Sequence, residues 1–494
     1  MKLSASLHPL DAYPKPGVCG CPGSVQGVRV ANFTDTYLPR RDGVITSIRT
    51  LAGALSESGH STLTVVPRHP DQPSDESLLR LRAVPCGIAD LRLSPWLLRR
   101  AAADGTLAAV AAHAPDVIHV HTPGPVGLLG VLAAQRLGLP LVQTYHTDLH
   151  AYAEAYRFPV RALRVGVRLY ARRLGLPRPP MRCDNPAHAR GGLLRSVRPA
   201  GRVAAVGHRL AALDGVNALL LGDADAVVVP TRAVLDRIRL PVPDDRIFLV
   251  PTGVAARPST PAAVADFRSR HGLRADDRVV LFVGRINREK GVDLLIDAFV
   301  RVLATCPRAR LVLVGALYEP KWFDSLLRRA GPRVAERIVL TGQQPSQVVA
   351  AAYAAANVFA FPSRTDTQAL VLQEAALAGL PAVLVDPVLH QCGPLGGAGV
   401  RAEPTPAAFA EAIVGLLRNP GAAREIGAAA AARAGRHTPS RYAEAMLAVY
   451  AHAAAVKAGA ASPGRDSPRG DWRGGGSAGP LAWSGAEGLL LPVL

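Results

Sequence analysis

Short apolar runs alternate with helical patterns along most of the chain. Each run is rich in Val, Ile and Leu and leads into a polar or Gly-containing turn, which is typical of strands in a parallel sheet whose two faces are covered by helices. The runs are residues 28–33, 61–66, 116–121, 141–146, 226–230, 247–251, 279–284, 310–315, 337–342, 357–361 and 381–385. The pattern predicts an α/β protein with doubly wound parallel sheets.

The runs fall into two groups, divided by a Pro- and Ala-rich stretch at 255–267 that we interpret as a linker. We therefore expect two Rossmann-like domains that face each other. The predicted parts are an irregular leader (1–27), an N-terminal, acceptor-side domain (28–257), a C-terminal, nucleotide-binding domain (258–435), a C-terminal helix (436–457) and a disordered tail (458–494). The leader and the tail should carry no chemistry.

Composition narrows the class of protein. A chain of 494 residues suffices for two or three domains, and an aromatic content of 5% predicts an aliphatic core. No apolar run reaches the roughly 18 residues of a membrane span, and charged and Pro residues interrupt the amino terminus too early for a signal peptide. The six cysteines are scattered, as expected for reduced thiols. We expect a cytoplasmic protein.

The basic charge is concentrated in one segment. The formal net charge is +19, and residues 157–210 contain 13 Arg and a single acidic residue, Asp184. One hypothesis is that the protein binds nucleic acid through this charge. We disfavour it because the segment contains no known nucleic-acid-binding motif.

Within this segment, residues 160–174 have the pattern of a basic amphipathic helix. Apolar side chains recur at helical spacing beside a stripe formed by Arg161, Arg164, Arg168 and Arg172. Such a helix could lie on an anionic membrane surface at the inner face of the cell membrane. It could equally be an ordinary helix that packs on the sheet with its Arg side chains outward.

Several candidate ligand-binding residues lie in the segments that follow predicted strands. In doubly wound sheets, ligands bind beyond the carboxyl ends of the strands, so these positions should share one cleft. Gly43 follows the first strand and His146 the fourth, while Arg285 and Lys290 follow the strand at 279–284. Two cations at one strand end can hold a diphosphate.

The stretch FPSRTDTQALVLQEAALAGLP at 361–381 places Asp366 before a predicted helix (369–380) and Glu374 on it. A helix start after a strand favours an anion such as a pyrophosphate, and the two carboxylates would then serve hydroxyl groups on either side. The alternative is a helix cap followed by a solvated Glu.

Two patterns imitate metal sites. His119 and His121 share one face of a strand, but no third ligand is near them in the sequence, and we interpret them as residues at a strand end that line the cleft. Asp223 and Asp225 form a D-x-D pattern that precedes a strand instead of following one, so we interpret them as a helix end and a strand start. We therefore expect no metal.

The stretches around Gly43, His121, His146, Thr252, Lys290 and Glu374 together resemble family 4 of the glycosyltransferases, which have the two-domain GT-B fold. The motif style is similar to diacylglycerol glucosyltransferases and related mannosyltransferases. The resemblance implies a retaining enzyme that moves a hexose from a nucleotide-diphosphate sugar to an acceptor hydroxyl, for example on a glycolipid, and that needs no metal or other cofactor. A sugar-nucleotide epimerase of the same fold is the alternative.

The resemblance also implies roles for individual residues. Arg285 and Lys290 would hold the donor diphosphate. Asp366 and Glu374 would be the two acids of the E-x7-E motif, on the transferred sugar and on the ribose. The remaining site residues would be Gly43 near the phosphate, His146 beside the reacting sugar, and the backbone of Thr367, Gln368, Ala369 and Leu370 against phosphates and sugar.

Four positions depart from the family pattern. Asp366 is one methylene shorter than the commoner Glu, and Ala369 replaces a usual Gly. Thr252 and Ala255 stand where Asn and Asp are usual. The geometry around the donor sugar is therefore the least predictable part of the site.

Overall fold

The structure is a computed structural model that describes residues 27–85, 92–98, 100–146 and 213–460, together with residues 165, 168, 169, 171, 172 and 175. Most of the predicted leader, tail and Arg-rich segment lies outside the described residues. Cys306 and Cys392, the cysteines within the described ranges, are free thiols. In these same ranges, every helix is too short or too polar to cross a membrane.

Two parallel sheets form the framework. The strands are β1 (Arg29–Phe33), β2 (Ser61–Pro67), β3 (Leu78–Leu81), β4 (Val84–Pro85), β5 (Arg92–Leu93), β6 (Val117–Val120), β7 (Leu141–Thr144), β8 (Ala226–Val229), β9 (Ile247–Leu249), β10 (Arg278–Val283), β11 (Ala309–Val314), β12 (Ile338–Gly342), β13 (Val358–Phe361), β14 (Ala382–Leu384) and β15 (Val400–Arg401). The first sheet has the order β3-β2-β1-β6-β7-β8-β9 and the second the order β12-β11-β10-β13-β14-β15. Strands β4 and β5 form a separate antiparallel pair.

Helices cover both faces of each sheet. They are α1 (Gly43–Glu57), α2 (Arg100–Ala112), α3 (Pro125–Leu137), α4 (Arg232–Arg237), α5 (Pro261–Arg270), α6 (Val292–Thr305), α7 (Pro320–Ala330), α8 (Pro332–Ala335), α9 (Ser346–Ala355), α10 (Leu370–Leu377), α11 (Pro387–Cys392), α12 (Pro406–Arg418), α13 (Pro420–Ala434) and α14 (Pro439–Ala460). Aliphatic side chains dominate the buried layers on either side of each sheet, as the low aromatic content predicts. The predicted fold class is confirmed.

The last helix, α14, returns to the first sheet after the chain has completed the second. Tyr442, Met446 and Val449 are buried against strand residues Val30 and Val142. The Tyr442 hydroxyl lies 3.0 Å from Ser47 Oγ on α1, and Ser47 Oγ is 2.9 Å from Thr252 Oγ1. The carboxyl end of the described chain is therefore part of the packing around the N-terminal sheet.

The predicted linker at 255–267 is only partly a linker. Helix α5 begins inside it, with Thr260 as the N-cap whose side chain accepts a hydrogen bond from the Ala263 backbone amide. Pro261 occupies the first turn, where its missing amide hydrogen costs nothing. Phe267 is 2% exposed in the core of the second sheet. The segment that composition suggests is a linker thus contains the Thr-Pro start of a helix.

Candidate active site

A cavity of about 1310 Å³ lies between the two halves, lined by residues that follow the carboxyl ends of strands in both sheets. It has a C-terminal wall, built by the loops after β10 and β13 and by helices α9 and α10. Its N-terminal wall is built by the loop before α1, by α1 itself and by the residues after β6 and β7. The predicted site residues that line it are Gly43, His146, Arg285, Lys290, Asp366, Thr367, Gln368, Ala369, Leu370 and Glu374.

On the C-terminal wall, Lys290 and Asp366 form an ion pair, with Lys290 Nζ 2.7 Å from Asp366 Oδ1. Both side chains are largely buried, and the Ser363 hydroxyl donates a further hydrogen bond to Asp366. Burial would raise the pKa of Asp366, but Lys290, Ser363 and Arg285 together hold that pKa below its ordinary value. Lys290, predicted to hold the diphosphate, and Asp366, predicted to contact the sugar, are therefore direct neighbours.

Glu289 joins the two cations, a contact that the sequence reasoning missed. Its carboxylate lies 2.9 Å from Arg285 and 3.4 Å from Lys290, and Thr365 Oγ1 donates to it at 3.2 Å. Burial would raise the pKa of Glu289, but Lys290 and Arg285 hold it below its ordinary value. The acidic residue between the two cations in the sequence RINREKG was the available signal.

A short 3-10 turn at Arg288–Lys290 aims Lys290 at the cleft. The Asn287 side chain caps this turn by accepting a hydrogen bond from the Lys290 amide at 3.2 Å. Gly291 then adopts a φ of 69°, and a Cβ at this position would lie 2.7 Å from the Pro362 carbonyl oxygen. Only Gly lets this turn approach the loop that carries Asp366.

Helix α10 begins at Leu370 without a side-chain cap, so the amides of its first turn are not used by a capping side chain. Ala369 precedes it in the left-handed region, with φ 58° and ψ 70°, and is 7% exposed. The family's usual Gly would adopt this conformation freely, whereas the Ala Cβ is strained there. The helix ends at Leu377, earlier than predicted, and Gly379 turns the chain with a φ of 72°.

Glu374 on α10 accepts a hydrogen bond from Tyr353 on α9, at 2.9 Å between Tyr353 Oη and Glu374 Oε2. Burial raises the pKa of Glu374, although this hydrogen bond and the charge of Arg257 lower it in part. Tyr353 is 4% exposed and was not predicted as a site residue. Because Tyr353 donates to Oε2, Oε1 is the Glu374 oxygen that could accept a hydrogen bond from a ligand hydroxyl.

The Gln368 side chain is occupied by the other half of the protein. Its Oε1 accepts from the Thr252 amide at 3.0 Å, and its Nε2 donates to the Thr252 carbonyl at 2.9 Å. This pairing uses both polar atoms of the side-chain amide, so only the Gln368 backbone is left for a ligand. Thr252 is one of the departures from the family pattern.

Further contacts across the cleft come from arginines that the sequence reasoning did not single out. Arg237 on α4 donates to the Asp366 carbonyl at 2.9 Å and forms an ion pair with Asp386. Arg41 donates to the Gln344 carbonyl at 3.3 Å. These contacts join the two walls directly.

Gly43 is the first residue of α1, directly after the N-cap Asp42, which accepts a hydrogen bond from the Ile45 amide at 3.0 Å. A Cβ at Gly43 would meet only Leu370 Cδ1, at an ordinary 3.8 Å. The structure thus brings two predicted residues from opposite walls together. An Ala would fit here without a ligand, so any need for Gly must come from a bound group.

His146 follows β7 on the N-terminal wall. Its Nε2 lies 3.2 Å from His121 Nδ1, and its backbone carbonyl accepts a hydrogen bond from Thr367 Oγ1 at 2.9 Å. Burial lowers the pKa of His146 to about 4, with the Asp42 charge opposing that shift. The imidazole is therefore neutral at physiological pH.

All four ring nitrogens of His119 and His121 are hydrogen-bonded to protein groups. His119 lies 2.7 Å from Thr144 Oγ1 and 2.9 Å from the Tyr450 hydroxyl. His121 contacts His146 and, at 3.1 Å, Asn32 Oδ1. Burial lowers the pKa of His119 to about 3. Both side chains are buried, with 0% and 2% exposure, and neither lines the cleft, so the prediction that they line it is wrong: their ring nitrogens serve protein groups inside the sheet.

The D-x-D pattern has structural partners. Asp225 Oδ2 accepts from the Leu141 amide at 2.9 Å, and Asp223 Oδ2 accepts from Gln135 Nε2 at 2.9 Å. Both precede β8, at the amino ends of the strands and away from the cleft. The structural interpretation of this pattern is confirmed.

Only part of the predicted basic helix can be described. Arg168 and Arg172 are exposed on helical backbone, as are Val165 at 64% and Leu169 at 42%. Arg161 and Arg164 lie outside the described residues.

Two facing doubly wound domains that share one cleft have the architecture of the GT-B fold. Solved structures support this fold. Sucrose-phosphate synthase from Thermosynechococcus elongatus superimposes with a TM-score of 0.61 at 20% identity, over 88% of this chain and all of that one. The Anabaena protein HepE in complex with UDP and glucose gives a TM-score of 0.58 at 16% identity, over 85% of this chain and 98% of that one.

Family models match residues 41–179, described as Glycosyltransferase Family 4, and residues 277–419, described as Glycosyl transferases group 1. The D-inositol 3-phosphate glycosyltransferase of Xylanimonas cellulosilytica is 31% identical over 357 residues, 68% of this chain and 72% of the relative. The chain belongs to the family 4, group 1 glycosyltransferases, and both the predicted family and the predicted enzyme class are confirmed.

Other relatives use different substrates. The alpha-monoglucosyldiacylglycerol synthase of Streptococcus pneumoniae is 25% identical, over 72% of this chain and 70% of the relative. The GDP-mannose-dependent alpha-mannosyltransferase of Mycobacterium tuberculosis is 27% identical, over 73% and 79%. Family membership sets aside the epimerase and nucleic-acid-binding hypotheses.

Proposed function

We propose that the protein is a retaining hexosyltransferase that moves a hexose from a nucleotide-diphosphate sugar to an acceptor hydroxyl carried by a lipid. The observation that carries the donor half of this proposal is the ion-pair cluster of Arg285, Glu289, Lys290 and Asp366 beside the uncapped start of α10. Cations and free helix amides in a buried site favour a diphosphate.

The proposed chemistry needs no strong protein nucleophile. As the bond between the sugar anomeric carbon and the diphosphate breaks, its electron pair moves to the leaving oxygen. Arg285, Lys290 and the first amides of α10 stabilise the negative charge that develops there. The acceptor oxygen forms the new bond on the same face, and its proton passes to a phosphate oxygen of the donor.

Within this scheme, the two acids act at different ends of the donor. Asp366 forms an ion pair with Lys290, and in this scheme it would border the diphosphate and contact the transferred sugar. Glu374 lies on α10 with Tyr353, where its free oxygen would accept hydrogen bonds from the ribose hydroxyls. No metal ion has a role in this scheme, and activity in EDTA tests that point.

The donor is identified by thermal unfolding of the purified protein with UDP-, GDP- and ADP-sugars. We expect one nucleotide class to stabilise the protein, because a ligand that binds only the folded state raises the unfolding temperature. The configuration of the product, read by NMR from its anomeric proton, tests retention. A product with the inverted anomeric configuration would refute the retaining mechanism.

The lipid acceptor is supported by the diacylglycerol-using relative and by the exposed apolar side chains Val165 and Leu169 beside Arg168 and Arg172. We expect the protein to sediment with vesicles that contain phosphatidylglycerol, and expect added salt to weaken that binding, since exposed charges are screened within about 8–10 Å. Vesicles of neutral lipid should bind poorly.

The matching variant replaces four arginines of the basic helix with Gln: Arg161, Arg164, Arg168 and Arg172. We expect it to lose vesicle binding but to keep donor binding. A control removes the same charge from exposed positions of the C-terminal half: Arg301, Arg328, Arg333 and Arg424. If the variant that lacks the four helix arginines still binds vesicles, or if the parent ignores them at low salt, the helix is an ordinary packed element and the proposal changes to a small soluble alcohol as acceptor.

A further inference from the structure

A line of buried polar side chains runs from the interior of the first sheet to the cleft. Asn32 on β1 and His121 after β6 are each 2% exposed, and His146 after β7 lines the cleft. Asn32 Oδ1 lies 3.1 Å from His121 Nε2, and His121 Nδ1 lies 3.2 Å from His146 Nε2. Three adjacent strands thus contribute one member each.

The hydrogen positions along this line follow from the chemistry of its first member. The Asn32 carbonyl oxygen can only accept, so His121 Nε2 must carry a hydrogen. Burial, together with the neighbouring His119, holds the pKa of His121 well below its ordinary value, so the ring is neutral and Nδ1 has no hydrogen. His146 Nε2 must then donate to it. A neutral His146 that carries its hydrogen on Nε2 has a bare Nδ1.

This remaining nitrogen is free to meet a ligand. Within the part of the chain that the structure describes, no protein group hydrogen-bonds His146 Nδ1, and this atom is not among the fully buried unpartnered ones. The ring is partly exposed and lines the cleft, while its other nitrogen is held by the buried His121. The cleft side of the ring therefore presents a hydrogen-bond acceptor.

We propose that Asn32 and His121 are positioning residues that hold His146 in a single neutral tautomer, whose Nδ1 accepts a hydrogen bond from a hydroxyl group of the bound sugar or acceptor. This inference rests on the proposed function for the identity of the hydroxyl. In this proposal the N-terminal wall orients a neutral hydroxyl group. A neutral His146 does so without a positive charge beside the anomeric carbon, which becomes electron-poor as the diphosphate leaves.

The charges around His146 are compatible with this task. Among the residues that the structure describes, Asp42 at the start of α1 is the acid whose charge acts on the ring, and it also caps α1 and pairs with Arg40 at 3.0 Å. His119 and His121 from β6 are both neutral because they are buried. From the opposite wall, the uncharged Thr367 hydroxyl contacts the His146 backbone.

The first test reads the tautomer directly. The protein has 14 His residues, so the ¹⁵N signals of His146 are assigned by their loss in His146→Gln. We expect Nε2 protonated and Nδ1 bare at pH 7 in the full-length protein. A hydrogen on Nδ1, which would arise if the Asn32 amide were turned over, overturns the proposal. This measurement stands even if no acceptor substrate is found.

The second test uses two variants with opposite consequences. Asn32→Leu removes the acceptor that fixes the hydrogen on His121, so His121 and His146 can reverse their order; we expect kcat to fall about tenfold at every pH between 6 and 9. Asn32→Asp keeps an acceptor oxygen but adds a negative charge that raises the pKa of the histidines. Its activity should be near that of the parent at pH 8 and should be lost as pH falls, at a higher pH than in the parent.

Controls separate positioning from folding. Thr64→Val removes another buried polar group from the same sheet, at 2% exposure, and should leave the pH profile unchanged. Stabilisation by the nucleotide diphosphate without the sugar should persist in both Asn32 variants, because the proposed diphosphate contacts of Arg285 and Lys290 lie on the other wall. If Asn32→Leu and Asn32→Asp lose activity equally at all pH values, Asn32 has only a structural role.

Discussion

The two walls of the cleft solve different electrostatic problems. On the C-terminal wall, Arg285 and Lys290 face Glu289 and Asp366, so that charged groups of both signs are buried as contacts. On the N-terminal wall, His119 and His121 are buried and His146 is partly exposed, and all three rings are neutral and hydrogen-bonded to hydroxyl, amide or imidazole groups. One wall keeps its charges, and the other is built from titratable groups that are held uncharged.

This difference matches the two ends of the proposed reaction. A leaving diphosphate needs cations that are already oriented, and carboxylates beside them keep those cations in place before the donor arrives. A sugar or acceptor hydroxyl is neutral and needs only directional hydrogen bonds. The comparison therefore predicts that substitutions on the two walls differ in size and in pH dependence.

The largest effect is expected on the charged wall, from Lys290→Ala. It removes a cation from the diphosphate site and leaves Asp366 buried without its ion-pair partner. A charged hydrogen bond is worth about 1.5–3 kcal/mol, and the orphaned carboxylate adds to that loss, so kcat/KM should fall at least ~100-fold. Steady-state kinetics and stabilisation by nucleotide sugar measure it. Lys321→Ala, on an exposed helix position, is the matched control, and equal activity in both variants would refute the diphosphate role.

The second-largest effect is a difference in kinetic role between the two acids on the charged wall, Asp366 and Glu374. Asp366→Asn should mainly lower kcat, since its contact with the transferred sugar strengthens in the transition state. Glu374→Gln should mainly raise KM for the nucleotide sugar, since ribose contacts serve ground and transition states alike. We expect changes of about tenfold or more, or roughly 1.4 kcal/mol. Two variants with the same kinetic pattern would show that this division of roles is wrong.

The neutral wall should determine how stability responds to mild acid. In the folded protein the pKa of His119 is about 3 and that of His146 about 4, both below the ordinary 6.5, so below pH 6.5 the unfolded chain binds protons that the folded protein does not. Stability should fall as pH drops below 6.5, by about 1.4 kcal/mol per pH unit for each such His. Asp366 and Glu289 have lowered pKa values, so their contribution is lost only at lower pH, below about 4.5.

Chemical denaturation at pH 4.5, 5.5, 6.5 and 7.5 measures this dependence. A free energy of unfolding that stays flat from pH 7.5 to 4.5 would mean that the histidines are not held neutral by burial.

The smallest effect concerns Ala369, at the start of α10. Ala369→Gly relieves a left-handed conformation that costs an L-residue roughly 1–2 kcal/mol, but it adds about 0.5–1 kcal/mol of chain entropy in the unfolded state. We expect a net stabilisation of about 0.5 kcal/mol, visible in denaturant titrations. Ala378→Gly is the control, because Ala378 has a φ of −82° and should lose stability instead.

The sequence was sufficient for features that depend on local pattern. Strand-end motifs placed Gly43, His146, Lys290 and Asp366 in one cleft, because parallel strands align their carboxyl ends. The family motif usually has Gly where this chain has Ala369. That preference agrees with the structure, in which Ala369 has the left-handed backbone conformation that Gly adopts most easily.

Long-range partners could not be predicted in this way. Asn32 and His121 are 89 residues apart, and His119 and Tyr450 are 331 apart. Tyr353 on α9 reaches Glu374 on α10 across 21 residues of sequence, a contact that the sequence does not reveal. The prediction for Gln368 concerned only its backbone; the pairing of its side chain with Thr252 was missed, because a side-chain amide can imitate a peptide group of the opposite half.

The return of α14 to the first sheet also bears on how the protein is made. The N-terminal sheet is complete once β9 leaves the ribosome, yet the face that contains Val30 and Val142 stays only partly covered until α14 has been synthesised about 200 residues later. At roughly 5–20 residues per second, that interval is roughly 10–40 s. During this time the nascent chain exposes an aliphatic surface that chaperones recognise, and a chain that stops before Tyr442 would never cover it.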